Sequence, residues 1–193
     1  MRDGRSAMSY ERSGFIRSAL EWIAVFAVAL GVVLLVRTFV IEPYVVPTGS
    51  MESTIQVGDQ LLAQKVTTLL GIDPSAGDIV VFDNPEAGSE HEVLIKRVVA
   101  TAGQTVDFSD GSLLVDGEPV TEPYAQGLTQ ALPVQADDVC IAYPYTVPEG
   151  CVWVMGDNRE NSADSRYFGP VSCDSVIGVA VVRYWPLTRM GGL

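Results

Sequence analysis

The sequence predicts a mainly β domain of antiparallel sheets behind one N-terminal transmembrane helix. Two observations carry this expectation: a single long apolar run close to the N-terminus, and a series of short Val- and Ile-rich segments after it, punctuated by Gly, Pro and Asp. At 193 residues the chain has material for one sizeable core.

The helix comes first. Trp22 to Val36 (WIAVFAVALGVVLLV) contains no charged residue. Its 15 residues reach about 22 Å at a rise of about 1.5 Å each, short of a hydrocarbon layer of roughly 30 Å. Adding Ala19 and Leu20 in front and Phe39 to Ile41 behind closes the gap, giving a span over 19–41 with Arg37 snorkelling to the interface. VRTFVIEPYVV follows without an A-x-A signal, so the run reads as an uncleaved anchor rather than a removable leader. Arg2, Arg5, Arg12 and Arg17 precede it, and the next basic residues are Arg37 and Lys65. That asymmetry predicts a single-pass plasma-membrane protein, with a cytoplasmic segment 1–18 and an extracytoplasmic domain 42–193.

The domain's segments follow in order as DIVVF (78–82), EVLIKRVVA (92–100), TVDF (105–108), SLLVDGEPV (112–120), CVWVMG (151–156) and SVIGVAVVRYW (175–185). Each has the length and composition of a strand, and the Asp-Gly pairs at 110–111 and 116–117 mark hairpin turns. Gln60 to Leu70 is readable as strand or short helix, and no βαβ alternation points to a parallel nucleotide-binding sheet. The polar segment 121–139, with two prolines, reads as an insertion loop.

A net charge of -12 argues against nucleic acid, which needs clustered Lys and Arg, and against docking on anionic lipid through a basic patch. Cys140 and Cys151 flank a stretch with two prolines, a candidate disulfide across a hairpin; Cys173 then remains odd. With one histidine and no C-x-x-C, no metal or other cofactor is expected.

The inventory of bases is narrow. His91 lies in an acidic turn (GSEHEV) and reads as solvated, which disfavours a Ser-His-Asp triad. There are two lysines, Lys65 and Lys96. Lys96 lies in VLIKRVV, where alternation puts Leu94, Lys96 and Val98 on one face and Ile95, Arg97 and Val99 on the other. One of the two basic side chains is therefore expected to point inward. A buried lysine loses its proton more readily and can act as a base, whereas arginine stays charged. Taken alone, the strand fits a surface lysine on an amphipathic edge better. Ser50 in PTGSMEST fits an ordinary polar turn or a nucleophile approached closely over Gly49, with the Thr48 hydroxyl aimed at the same spot. The stretch GDNRENSADSRYFGP (156–170) packs both signs of charge with short amides and hydroxyls, as a hydrogen-bonded support for a site requires.

Together these blocks resemble the type I signal peptidases, membrane-bound Ser–Lys proteases. The match runs in order through the anchor, PTGSMESTIQVGD, GDIVVF, IKRVVATAG, GDNRENSADSRYFGPV and RYWPLTRMG, and its single span is similar to the Gram-positive form. The resemblance implies coiled antiparallel sheets with an apolar surface meeting the bilayer, and exported preproteins with A-x-A-like sites as substrates. It implies Ser50 as nucleophile, Lys96 as general base, and an oxyanion hole of the Ser50 N–H and Thr48. It further implies Ser162 orienting Lys96, an Asp164–Arg166 ion pair, and Asp157, Asn158 and Arg159 bracing the loop. Tyr44, Val46, Pro47, Met51, Ile55 and Ile95 would shape the substrate pocket. The chain departs from the family pattern at Ser53, which stands where proline is usual, at Ile55 for leucine, and at Ala100, Ala102 and Gln104 after the lysine. These bear on pocket detail more than on reaction type. Two rivals remain open: another Ser–Lys protease of related fold, such as a self-cleaving repressor, and a non-catalytic anchored β-domain.

Overall fold

The computed structural model describes residues 4–86, 88 and 91–193, with side chains described from Leu20 onward. Arg2, and Ser89 and Glu90 of the turn before His91, lie outside them. The chain divides into two units, Met1–Val40 and Ile41–Leu193. The first is the helix α1 (Gly4–Phe39), whose apolar stretch Leu20–Phe39 is 20 residues long, with a mean hydropathy of 2.3 in its most apolar window and no buried residue. Twenty residues at a rise of about 1.5 Å give roughly 30 Å, long enough to cross a bilayer.

The second unit is mainly β. In chain order it runs β1 (Ile41–Val45), β2 (Gln60–Gln64), the single turn α2 (Val66–Leu69), β3 (Ile79–Asp83) and β4 (Val93–Thr101). Then come β5 (Thr105–Ser109), β6 (Ser112–Val115), β7 (Glu118–Pro119), β8 (Tyr145–Thr146) and β9 (Cys151–Met155). It closes with the turn α3 (Ser165–Phe168), β10 (Val171–Ser172), β11 (Val176–Trp185) and β12 (Gly191–Gly192). One antiparallel sheet has the order β1-β2-β11-β3-β4-β9-β10, with β12 on β11; the other has the order β7-β6-β5-β8. Gln60 to Leu70 thus supplies both elements that its sequence allowed.

Both Asp-Gly pairs make the turns expected of them. Asp110, Gly111, Asp116 and Gly117 all have positive φ, the conformation whose twist matches antiparallel strands. Register follows: Ser109 faces Ser112, and Val115 faces Glu118.

Strand β9 explains why CVWVM is apolar without alternation. Val152 and Val154 enter one core with Val80, Phe82 and Val98, while Trp153 and Met155 enter a second with Val106, Leu113 and Val147. A strand buried on both faces needs apolar residues at every position. A third cluster, Val46, Met51, Ile55, Leu61, Ile79 and Ala180, lies under the loop that follows β1. Cys140, Cys151 and Cys173 are all free thiols, so the Cys140–Cys151 bridge is not formed. Cys140 is exposed, while Cys151 pairs through its strand with Ser172.

Trp153 is fully buried and stacks near Tyr143 and Tyr145. Trp153→Ala is expected to cost about 3–5 kcal/mol, read as a lower denaturant midpoint with an unchanged slope.

Candidate active site

The loop between β1 and β2 is closed at its base by two hydrogen bonds, Val46 N–H to the Asp59 carbonyl and Gly58 N–H to the Val46 carbonyl, each 2.9 Å. Inside it, Met51 and Ile55 are buried, and Ile55 N–H donates to the Met51 carbonyl at 2.8 Å. Core anchoring by these two side chains therefore fixes the turn around Ser53. Ser50 sits at its head, 8% exposed.

Lys96 reaches it from β4. The Lys96 Nζ lies 2.6 Å from Ser50 Oγ, and the lysine is 3% exposed. Burial lowers its pKa from the ordinary 10.5 to about 8. Arg166 pushes the same way, while Asp164 and Asp157 oppose it. Arg97, next in the strand, is buried too, so both basic side chains point inward rather than one. The reason is pairing: Arg97 makes a two-pronged contact with Asp157 at 2.9 and 2.8 Å and stacks on the Tyr124 ring, 4.0 Å from its centre.

Strand β9 delivers the third part. After Met155 the chain runs through Gly156, where a Cβ would overlap both the Ser50 carbonyl and the Ser162 side chain. Asp157, fully buried, also accepts a hydrogen bond from Thr54 in the turn that carries Ser50. Asn158 N–H donates to the Ser50 carbonyl at 3.0 Å, and its side-chain amide to the Gly49 carbonyl at 3.2 Å. Arg159 is buried against Glu122. Asp164 and Arg166, both with buried side chains, form a two-pronged pair, and Asp164 also accepts the Gly156 N–H at 3.0 Å.

Two expected features differ. Ser162 Oγ is buried near Gly156 and makes no hydrogen bond to Lys96 or to any other described residue. The segment 121–139 is not a free insertion: Glu122, Tyr124, Gln126, Thr129 and Gln130 all bond or stack onto the 156–166 loop or Arg97.

Beside Ser50 lies a cavity of about 100 Å³. Tyr44, Val46, Pro47, Met51 and Ile95 line it, together with Thr48 and Lys96. Ile55 does not; it sits behind the wall, in the core. His91, which the sequence read as solvated, and Leu94 also line the cavity. His91 is 41 residues from Ser50 in sequence, and nothing local announces its place. The cavity runs between two strand edges. Among the described residues, strand β1 ends its sheet, pairing with β2 alone, and residues 93–96 of β4 pair only with β3, because β9 joins β4 from Arg97 onward. The Ser50 N–H has no protein acceptor among the described residues.

Against known proteins, the signal peptidase family, peptidase S26, matches residues 19–185. A signal peptidase I from Leptolyngbya laminosa is 36% identical over 90% of this chain and 83% of its own. One from Bacillus licheniformis is 33% identical over 95% of this chain and 98% of its own. A crystal structure of a signal peptidase I from Enterococcus faecalis overlaps 55% of this chain and 95% of its own, at 35% identity and a TM-score of 0.44.

Removing one partner of a buried ion pair leaves the other uncompensated. Arg166→Met is therefore expected to destabilise the domain by about 3–5 kcal/mol, and the double variant Asp164→Asn/Arg166→Met by less, as read from thermal melting of each.

Proposed function

The chain belongs to the signal peptidase family, and from that premise we propose that it removes signal peptides from exported preproteins with Ser50 as nucleophile and Lys96 as general base. Signal peptidase I activity makes it a serine endopeptidase. The observation that carries the residue assignment is the 2.6 Å contact between a buried lysine and a buried serine. No other basic side chain among the described residues hydrogen-bonds to Ser50, and His91 makes no such contact.

In this reading Ser50 Oγ attacks the scissile carbonyl as its proton passes to neutral Lys96 Nζ. The Ser50 N–H, free of a protein acceptor, and the Thr48 hydroxyl meet the developing oxyanion. The Lys96 ammonium returns its proton to the departing amine, leaving an acyl-serine. Lys96 then takes a proton from water, whose oxygen attacks the ester; the proton goes back to Ser50 Oγ and the signal peptide leaves as an acid. Ser162 supports the amine, and a buried hydroxyl still lacking a partner is available for that bond.

Substrate lies as an extended strand between the free edges of β1 and β4. The apolar walls and small volume of the cavity, about three waters' worth at roughly 30 Å³ each, suit small side chains before the cleaved bond. Leu20–Phe39 anchors the enzyme with its N-terminus in the cytoplasm. Exposed Val45, Trp185, Leu187 and Met190 offer an apolar surface to lipid, with Val45 and Trp185 both flanking Gln60. No metal and no nucleic acid take part.

Ser50→Ala and Lys96→Ala are each expected to abolish cleavage of a preprotein in detergent while melting like the parent; wild-type turnover in either would end the assignment. Because Lys96 works as the neutral amine and its pKa is lowered, activity is expected to rise with pH and reach half its plateau near pH 8, not near 10.5. A plateau already complete at pH 6 would contradict a lysine base.

A further inference from the structure

The segment 121–139 carries more of the site than its sequence suggests. Arg159 is 1% exposed, and its guanidinium makes four hydrogen bonds. Nη1 and Nη2 donate to the two Glu122 oxygens at 2.6 and 2.7 Å, Nη1 also to Thr129 Oγ1 at 2.6 Å, and Nε to the Gly156 carbonyl at 3.0 Å. Among the described residues Glu122 is its one counter-ion. The backbones are laced beside it: Gln126 N–H donates to the Asp157 carbonyl at 2.7 Å, and Arg159 N–H returns a bond to the Gln126 carbonyl at 2.9 Å. Between those two anchors lies Asn158, the residue that holds the Ser50 and Gly49 carbonyls.

Given the dyad reading above, we propose that Glu122 is a positioning residue for cleavage, holding the nucleophile turn through Arg159 and Asn158. Without its carboxylate, Arg159 keeps a charge that it cannot lose in a site without water. The guanidinium then turns toward solvent and draws the 157–159 backbone with it. The Ser50 carbonyl loses its Asn158 donor, and the contact between Oγ and Nζ lengthens. Displacements of this kind act on turnover, since about 1 Å of misplacement can cost roughly a hundredfold. Substrate binding is spared, because neither Glu122 nor Arg159 lines the cavity.

The test compares full-length parent, Glu122→Ala, Glu122→Gln, Ser50→Ala and Val134→Ser in preprotein cleavage across pH, alongside thermal melting. Val134 is an exposed residue of the same segment and serves as the control. Glu122→Ala is expected to lower kcat by roughly ten- to a hundredfold, with KM within about twofold of the parent. Water admitted to the site weakens the desolvation of Lys96, so the acid limb of the pH profile moves to higher pH. Glu122→Gln keeps an acceptor and the shape, so it shows the same two changes in smaller measure, and it carries the test if the alanine variant does not fold. Val134→Ser behaves as the parent. Parental kcat in folded Glu122→Ala overturns the proposal, as does a loss confined to KM, or one with an unmoved pH limb. Parental kcat and pH limb in Glu122→Gln do so where that variant stands alone. Cleavage surviving in Ser50→Ala would instead overturn the dyad reading on which the proposal rests.

Discussion

One carboxylate joins the parts of the site. Asp157, fully buried, binds Arg97 of β4 in two-pronged fashion and accepts the Thr54 hydroxyl from the turn that carries Ser50. Three stretches far apart in sequence, around positions 54, 97 and 157, therefore meet on a single side chain. Arg97 keeps its proton at any ordinary pH, so burying it needs a permanent counter-charge, and Asp157 supplies one. Lys96 next to it is left with no carboxylate in hydrogen-bond contact. The neighbouring Asp164 is itself engaged with Arg166, and the two act on the lysine in opposite senses, the carboxylate favouring the ammonium and the guanidinium disfavouring it. Burial then decides the outcome, and the ammonium is disfavoured.

This division of labour between two adjacent basic residues shows what a sequence reveals and what it conceals. The strands that build the frame were legible because their cause is local. Apolar runs of the right length and Asp-Gly pairs with positive φ give β4, β9, β11 and the two hairpins. Unbroken apolarity in CVWVM reflected a strand buried on both faces. Alternation suggested that one of Lys96 and Arg97 would point inward. Both are buried, because β4 is covered on both faces here and the carboxylate that lets Arg97 be buried lies 60 residues away.

The segment 121–139 was illegible for the same reason. It has no apolar period and two prolines, so local reading makes it a loop added to the outside. Its role comes from single polar contacts spanning 30 to 37 residues, such as Glu122 and Thr129 on Arg159, which leave no repeat in the chain. His91 shows the converse limit. Its acidic neighbours suggested solvent, yet its place is set by where β4 begins, beside the cavity. Ser50 and Lys96 became legible as a pair only through the blocks around them.

The two unpaired strand edges beside the cavity carry a consequence for timing in export. A groove that accepts its guest as an added strand requires several consecutive residues with unclaimed backbone donors and acceptors. A segment already folded into a helix or sheet has none to offer. In the proposed mode of binding, such a groove sorts chains by their state of folding before it reads a single side chain. On that reading cutting falls on segments that are still extended, and a segment already folded offers the groove nothing to pair with.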